Sequence, residues 1–331
     1  MYIYKITEIE NMKKVTVVIP CYNAEKYIDR CIKALKQQKC QEFEAIFIDD
    51  ASEDNTVGRI KNIAAGCEYS YKIIENSINS GPAASRNKGI EEASTEYITF
   101  CDADDWYEPN FIGEFIGLLE KEKAEIAFCG HTVVDENENK IERPLKEARV
   151  LTQKEEILSL DVDSLCMMMV KTSIMKKTPL PDIRNGEDMA VIPMLMLQAN
   201  KCVVIPNCLY NYFRRGDSAS ENASIKVVDS IAQSFEYILE KFPDKYGEEK
   251  EYIGIRNLLY AGMITLFSVS YNRQKAKELI GFFESEFPLW KDNRYISKMP
   301  TYKKLVLKML EYRFYFGIWV LAKIRAFIAG K

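Results

Sequence analysis

Tyr97-Ile98-Thr99-Phe100-Cys101-Asp102-Ala103-Asp104-Asp105-Trp106 joins an apolar, β-rich run to three carboxylates within four positions. Carboxylates this close repel one another, so a fold that keeps them gains if a cation sits between them. Oxygen ligands suit Mg²⁺ or Mn²⁺, and such sites use one or two carboxylates with substrate phosphates supplying the rest. The competing reading is a solvated acidic turn that caps the helix beginning near Pro109.

The segments before this stretch set its context. Val15 to Pro20 is short, β-branched and continuous, which predicts a fully buried strand. Tyr27, Ile28, Cys31, Ile32 and Leu35 then recur at helical spacing between Glu25 and Gln38. Phe43 to Asp49 and Tyr71 to Ile74 repeat the strand signature, and Ala83 to Ala93 follows Gly81-Pro82 as a helix. Strand and helix alternating in this way predict a mostly parallel, Rossmann-like sheet with right-handed crossovers. Ligands of such sheets bind outside the carboxyl ends of the strands. Tyr22-Asn23, Asp49-Asp50 and Asp102-Ala103-Asp104 end three of these strands, so all three clusters are expected to face one crevice.

Further along, Glu125 to Gly130 reads as a strand and Thr132 to Leu151 as polar and turn-rich. Thr152-Gln153-Lys154-Glu155 opens a short helix as a capping box. Leu165 to Val170 is ambiguous between strand and helix, and its methionines read as core packing. Asn185-Gly186-Glu187-Asp188 precedes an apolar helix over 189–199. Cys202–Ile205 and Leu209–Phe213 read as paired strands, followed by a basic, flexible loop, Arg214 to Ser220. From about Asn222 the pattern is helical, which suggests a domain over 1–221 and a helical region over 222–331.

The composition is that of an ordinary soluble globular protein, and the net charge of −4 gives no nucleic-acid signature. The single histidine, His131, excludes His-rich zinc sites. The nine cysteines form no Cys-x-x-Cys pair; Cys21, Cys101, Cys129 and Cys202 lie in apolar runs where reduced thiols are expected. No signal peptide is expected at the N-terminus and the location fits the cytoplasm. The longest uncharged run, Asn257 to Asn272, falls short of the ~20 apolar residues of a spanning helix.

Five segments stand in order: Val-Val-Ile-Pro-Cys-Tyr-Asn (17–23), Ile-Asp-Asp-Ala-Ser-Glu-Asp-Asn-Thr (48–56), Gly-Pro-Ala-Ala-Ser-Arg-Asn-Lys-Gly (81–89), Phe-Cys-Asp-Ala-Asp-Asp-Trp (100–106) and Gly-Glu-Asp (186–188). This series resembles glycosyltransferase family 2, inverting enzymes of GT-A-type fold, and among them the bacterial enzymes of capsule and surface-polysaccharide synthesis. The resemblance covers roughly Lys14 to Ser220. It implies a nucleotide-sugar donor, by family habit a UDP-sugar, and Mn²⁺ or Mg²⁺. It implies transfer of a hexosyl or N-acetylhexosaminyl group to a glycan or polyprenyl-diphosphate-linked acceptor.

The resemblance also implies residue roles. Pro20, Tyr22 and Asn23 would lie by the base, and Asp50 would accept from a base N–H; Asp49 could instead be structural. Ser52 and Asp54 read as caps of the following helix. Arg86 would reach the diphosphate or stack beneath the acidic loop. Asp102 would contact the ribose, Asp104 the metal, and Asp105 would support them or cap the next helix. Asp188 would be the base that deprotonates the acceptor, with Glu187 orienting it; the alternative for Asp188 is a helix cap. His131 would line the acceptor pocket or be an ordinary surface histidine. Arg214, Arg215, Ser218 and Ser220, behind Tyr210 and Tyr212, resemble the family's Tyr-x-Tyr-x-x-x-x-x-Ser-x-Ser stretch, a loop able to close over the diphosphate. The Gln-x-x-Arg-Trp of processive members is absent, which favours single-sugar transfer.

The tail, 301–331, carries seven Lys/Arg against one acid, Glu311, interleaved with aromatic residues. A basic aromatic helix of this kind suits the surface of an anionic bilayer, here the cytoplasmic face of the inner membrane. Packing on the globule or in a homodimer interface is the alternative. Two other function classes make different demands on the sequence. A nucleotidyltransferase would need a glycine-rich, basic loop after its first strand, and Val15 to Ala24 has neither glycine nor basic residue. A non-catalytic nucleotide-sugar-binding protein would be expected to lack Asp104 or Asp188.

Overall fold

Val15, Val17, Val18 and Ile19 have no exposed surface in the computed structural model, which describes residues 2–5, 13–162, 164–215 and 224–328. Burying each such side chain contributes about 1.5–3 kcal/mol, which explains why this run sits at the centre of the sheet. Among the described residues the strands are β1 (Tyr2–Lys5), β2 (Val15–Cys21), β3 (Phe43–Asp49), β4 (Ser70–Glu75), β5 (Tyr97–Phe100) and β6 (Trp106–Tyr107). They continue with β7 (Ile126–Asp135), β8 (Lys140–Arg143), β9 (Arg149–Leu151), β10 (Met168–Lys171) and β11 (Cys202–Arg214). The helices over the same span are α1 (Ile28–Lys36), α2 (Thr56–Ala64), α3 (Pro82–Glu92), α4 (Phe111–Glu122), α5 (Lys154–Leu158), α6 (Thr172–Met175) and α7 (Glu187–Gln198).

The described chain divides into two compact units. The first comprises Met1–Ile157, Val162–Arg184 and Leu195–Arg215. Its sheet runs β1-β4-β3-β2-β5-β10-β7-β11-β6, with β8 on β7 and β9 on β11. β4, β3, β2 and β5 are mutually parallel, as the alternating pattern predicts. Beyond β5 the sheet is mixed: β10 is antiparallel to β5 and β7, while β11 is parallel to β7. Order reverses between β2, whose chain continues outward to β3 and β4, and β5, which returns to β2's other side. That reversal is the switch point where open α/β sheets place their ligands.

α1 turns Ile28, Cys31, Ile32 and Leu35 inward, as its spacing predicts. α3 starts at Pro82 after Gly81, whose φ of 87° suits glycine. At Gly89 an added Cβ would lie 2.3 Å from Val18 Cγ1, so α3 packs closely on β2 because this position has no side chain.

Three expectations are corrected. β7 runs to Asp135, well past Gly130, and turns into β8; the region read as turn-rich also supplies β9. The turn is closed by Asp135, whose carboxylate accepts from the amides of Asn137 and Asn139, both at 2.9 Å. The two strands expected over 202–213 are one strand, β11, with register shifts around Pro206 to Leu209. Pro206 and Asn207 look like a hairpin turn in sequence, but parallel pairing with β7 on both sides keeps the chain extended. Leu165–Val170, read as ambiguous, splits into a 3₁₀ turn over Leu165–Met167 and the start of β10. Met168 and Met169 are fully buried there, as core packing requires.

The second unit comprises Leu158–Asp161, Asn185–Met194 and Gly216–Lys331. Its helices are α8 (Ile225–Lys241), α9 (Gly247–Gly254), α10 (Met263–Val269), α11 (Arg273–Glu286), α12 (Thr301–Glu311) and α13 (Tyr315–Ile328). A π-helical stretch, Ile255–Gly262, joins α9 to α10. The resulting helix, Asp244–Val269, is long and apolar enough by composition to cross a membrane, yet 72% of its apolar window is buried inside the protein, as in a core helix. Phe235 and Phe283 pack 5.4 Å apart against it. α12 and α13 bury Val306, Leu310, Tyr315 and Ile318 and leave Tyr302, Tyr312, Phe314, Phe316 and Phe327 exposed. The tail therefore packs on one face and displays aromatics on the other. The boundary expected at 221, together with Ser218 and Ser220, lies outside the described residues.

Candidate active site

The carboxyl ends of β2, β3 and β5 meet at the switch point. β2 delivers Pro20, half-buried, and then Tyr22, 47% exposed. Asn23 follows at φ 49° and Ala51, after β3, at φ 58°; both take the left-handed conformation that L-residues adopt at a cost. Hydrogen bonds between the two loops impose it. The Asn23 amide donates to Ser52 Oγ at 3.0 Å, and the Glu53 amide donates to Asn23 Oδ1 at 2.8 Å. The Ala24 amide donates to Thr56 Oγ1 at 2.7 Å, and the Glu25 amide to Asp54 Oδ2 at 3.1 Å. Ser52 thus serves the β2 loop and does not cap α2, whose N-cap is Asn55. Asp54 does accept from the first helical amide, Thr56, at 3.0 Å.

Asp50 is 3% exposed and its carboxylate is shared among three donors. Oδ1 accepts from Asn76 Nδ2 at 2.8 Å, both oxygens accept from the Ser80 amide at 3.1 Å, and Oδ2 accepts from the Gly81 amide at 2.7 Å. Asn76 in turn accepts from Lys88 Nζ at 2.6 Å. Asp50 therefore shapes the loop entering α3, and a base N–H would have to share one of these oxygens.

At the end of β5 the three carboxylates are inequivalent. Asp102 Oδ1 accepts from Arg86 Nη2 at 2.7 Å. Arg86 is 5% exposed and its guanidinium reaches the acidic loop from α3. Asp104 pairs with Arg215 Nε at 3.2 Å, and the Arg215 guanidinium lies 4.6 Å from the centre of the Tyr27 ring. Arg214, one position earlier, closes β11 in register with Asp135. Asp105 is 1% exposed; it accepts from the Tyr210 hydroxyl, and its Oδ1 accepts from the Phe213 amide at 2.7 Å. Burial, and then the negative charges of Asp104 and Asp102, push its carboxyl well above the ordinary range. Asp105 thus ties the acidic turn to β11. Tyr210 completes the tie by accepting from the Asp102 amide at 3.4 Å.

Among the described residues no group of three His, Cys, Asp or Glu side chains is disposed to hold an ion. Mg²⁺ sites take one or two carboxylates and complete their shell with phosphate oxygens and water, a donor chemistry that the partly exposed Asp104 carboxylate matches. Asp104 would be the protein ligand, with its Arg215 partner exchanged for the ion.

His131 stands within β7, half-buried, in register with Tyr210 and Arg143. In the second unit, Asn185 has φ 59° and leads into Gly186, whose carbonyl accepts from Ser234 Oγ at 2.8 Å. The Gly186 amide donates to Glu187 Oε2 at 3.0 Å, so buried Glu187 secures the turn entering α7. Asp188 follows, half-buried, in the first helical turn.

An open cleft of about 610 Å³ lies beside Asp104, between α1 and the end of β11. Its aromatic residues, Tyr27, Trp106 and Phe213, and its cations, Lys26, Arg30 and Lys33, were not read from sequence as site residues. The only signal was that Arg30 and Lys33 share the polar face of α1.

The family described as "Glycosyl transferase family 2" matches residues 16–179. A teichoic acid poly(glycerol phosphate) polymerase from Staphylococcus epidermidis is 28% identical over 207 residues, covering 61% of this chain and 28% of that protein. The chain thus spans under a third of the length of that relative. In structure it resembles S. aureus TarS 1–349, with a TM-score of 0.68 at 17% identity, covering 96% of this chain and 92% of that one; TarS 1–349 is also known in complex with UDP-GlcNAc. The mannosyltransferase PcManGT from Pyrobaculum calidifontis, in complex with GDP-Man and Mn²⁺, matches with a TM-score of 0.57 at 13% identity over 94% of this chain and 87% of that one. These likenesses establish a GT-A-type fold. Through the domain spanning residues 16–179, this chain belongs to glycosyltransferase family 2.

Proposed function

We propose that this chain is an inverting, divalent-metal-dependent transferase that moves one sugar from a UDP-sugar to a hydroxyl of a glycan or lipid-linked acceptor in surface polysaccharide synthesis. The observation that carries this reading is the meeting of Tyr22, Asp102 and Asp104 at the switch point between β2 and β5. The UDP-GlcNAc complex of TarS and the polymer made by the S. epidermidis relative support the donor class and the setting.

Tyr22, the exposed ring at the end of β2, would cover the base. Asp102, fixed by Arg86, would accept from a ribose hydroxyl. Arg215 is near enough to Asp104 to move onto a diphosphate oxygen once a cation takes its place. A cation held by Asp104 would neutralise the charge that develops on the departing diphosphate. Asp188 would take the proton as the acceptor oxygen bonds to the anomeric carbon and the bond from that carbon to the diphosphate oxygen breaks, releasing UDP with inverted stereochemistry. The basic aromatic tail would hold the enzyme on the cytoplasmic face of the membrane, where a polyprenyl-linked acceptor resides.

The test is nucleotide release over a panel of UDP-, GDP- and dTDP-sugars with Mn²⁺ or Mg²⁺. One sugar nucleotide should be turned over, chelation should stop it, and Asp188→Asn should reduce transfer by about 10²–10⁴-fold, as expected for loss of a general base. No turnover of any sugar nucleotide by folded protein would refute the reading.

A further inference from the structure

The cleft beside Asp104 is lined largely from one side by α1 and its flanking turns. Lys26 in the turn before α1, Arg30 and Lys33 on it and Gln37 at its C-cap line it at spacings of four, three and four. At 1.5 Å per residue the nine residues of α1 give a wall about 13 Å long, the span of a few sugar or polyol units. Trp106 and Phe213 also line it, in contact with Arg30, and Tyr27 lies under Arg215, the partner of Asp104. The residues expected around the nucleotide, Tyr22, Asn23, Asp50 and Asp102, do not line it; Asp104 alone belongs to both.

The charges in the groove are biased. Its two acids are already neutralised, Asp29 by Arg59 and Asp104 by Arg215. Its cations are less committed: Lys26 and Lys33 are exposed, in a chain whose net charge is −4. Arg30 rests against two neighbouring rings, 4.5 Å from the centre of Trp106 and 4.9 Å from that of Phe213, which are themselves 6.3 Å apart. It donates from Nη2 to Glu138 at 3.0 Å, and among the described residues its Nη1 has no hydrogen-bond partner. A guanidinium held by ring contacts and one carboxylate has less freedom to lose on meeting an anion than a free side chain.

We propose that this groove binds a linear anionic glycan or polyol chain, with its cations against phosphate or carboxylate groups and its rings against the C–H faces of the units. Its Asp104 end meets the donor site, so the bound chain is the acceptor; this last step rests on the proposed transferase function, whereas the binding itself does not. The groove's exposed cations should give an affinity that falls with salt.

The experiment is titration of the full chain, without donor, by calorimetry and tryptophan fluorescence. The probes are a hexamer of glycerol phosphate, hexagalacturonate, neutral maltohexaose and hexaglutamate. The proposal expects one or both anionic glycans to bind at least about tenfold more tightly than maltohexaose and hexaglutamate, more weakly in high salt, with the phosphate and carboxylate probes reporting which anion is preferred. K26E/K33E, two substitutions at exposed positions, should weaken that binding by about tenfold, and W106L should weaken it independently. Equal binding of maltohexaose, equal binding of hexaglutamate, wild-type affinity in folded K26E/K33E, or no binding of any probe would each overturn it. UDP titrated into the same preparation separates the two readings: a chain that binds the anionic glycan but not UDP keeps the groove and loses the transferase.

Discussion

Arg86 Nη2 lies 2.7 Å from Asp102 Oδ1, joining the middle of α3 to the end of β5. The guanidinium is buried and the carboxylate is partly open to solvent, with 6% and 38% of their side-chain surface exposed. The pair therefore aims a carboxylate outward from a fixed cation. Arg86→Met should raise the Kd for UDP by about tenfold, ~1.4 kcal/mol, because Asp102 loses its orientation. Arg86→Lys should recover part of this, since charge remains but the planar fork does not. Calorimetric titration checks both; an unchanged Kd in Arg86→Met would remove Asp102 from the nucleotide site.

Gly89 and Val18 fix how closely α3 sits on β2. Gly89→Ala should destabilise the protein by about 1–3 kcal/mol, since its new Cβ meets the buried Val18 side chain. Val18→Ala should relieve the clash, so the double variant should lose less stability than the sum of the singles, with a coupling of about 0.5–3 kcal/mol. Additive losses in denaturant melts would mean that the helix simply moves away.

Asp54 links stability to pH. Burial alone would raise its carboxyl, but hydrogen bonds from Thr56 and the Glu25 amide outweigh that and hold it below its ordinary value of 3.8. A lowered folded-state value means the unfolded chain binds the proton more readily, so this contribution is full above pH 3.8 and is lost as pH falls through the folded value. Asp54→Asn should melt below wild type at pH 7, and the gap should narrow at pH 3. A gap that is constant or wider at pH 3 would contradict the assignment.

The tail can be tested without cutting it away, since Val306, Leu310 and Ile318 are buried and truncation would open the second unit. Tyr312, Phe314 and Phe316 are exposed around the α12–α13 turn. Replacing all three with serine should leave the melting temperature near wild type and reduce flotation with phosphatidylglycerol vesicles several-fold, as loss of buried aromatic area predicts. Unchanged flotation would sink the membrane assignment.

Much of this protein was legible in the sequence because its signals are local. β-branched runs, helical spacing and strand-end polar clusters are set by neighbours a few residues away, and they specified the parallel half of the sheet from β2 to β5. They also specified that Tyr22, Asp50, Asp102 and Asp104 end strands. What the carboxylates do there depends on partners far along the chain, and only the tertiary structure decided it. Asp105 is taken by Tyr210 and Phe213, more than a hundred positions away. Asp104 faces Arg215, and Asp50 is spent on Ser80 and Gly81. The same holds for β11, where Pro206-Asn207 resembles a hairpin until pairing with β7 extends it. Local propensity is a weak bias of tenths of a kcal/mol to about one per residue, which long-range pairing and burial override. The sequence thus determined where the acidic turn at 102–105 lies, and the fold determined which partner each of its three carboxylates meets.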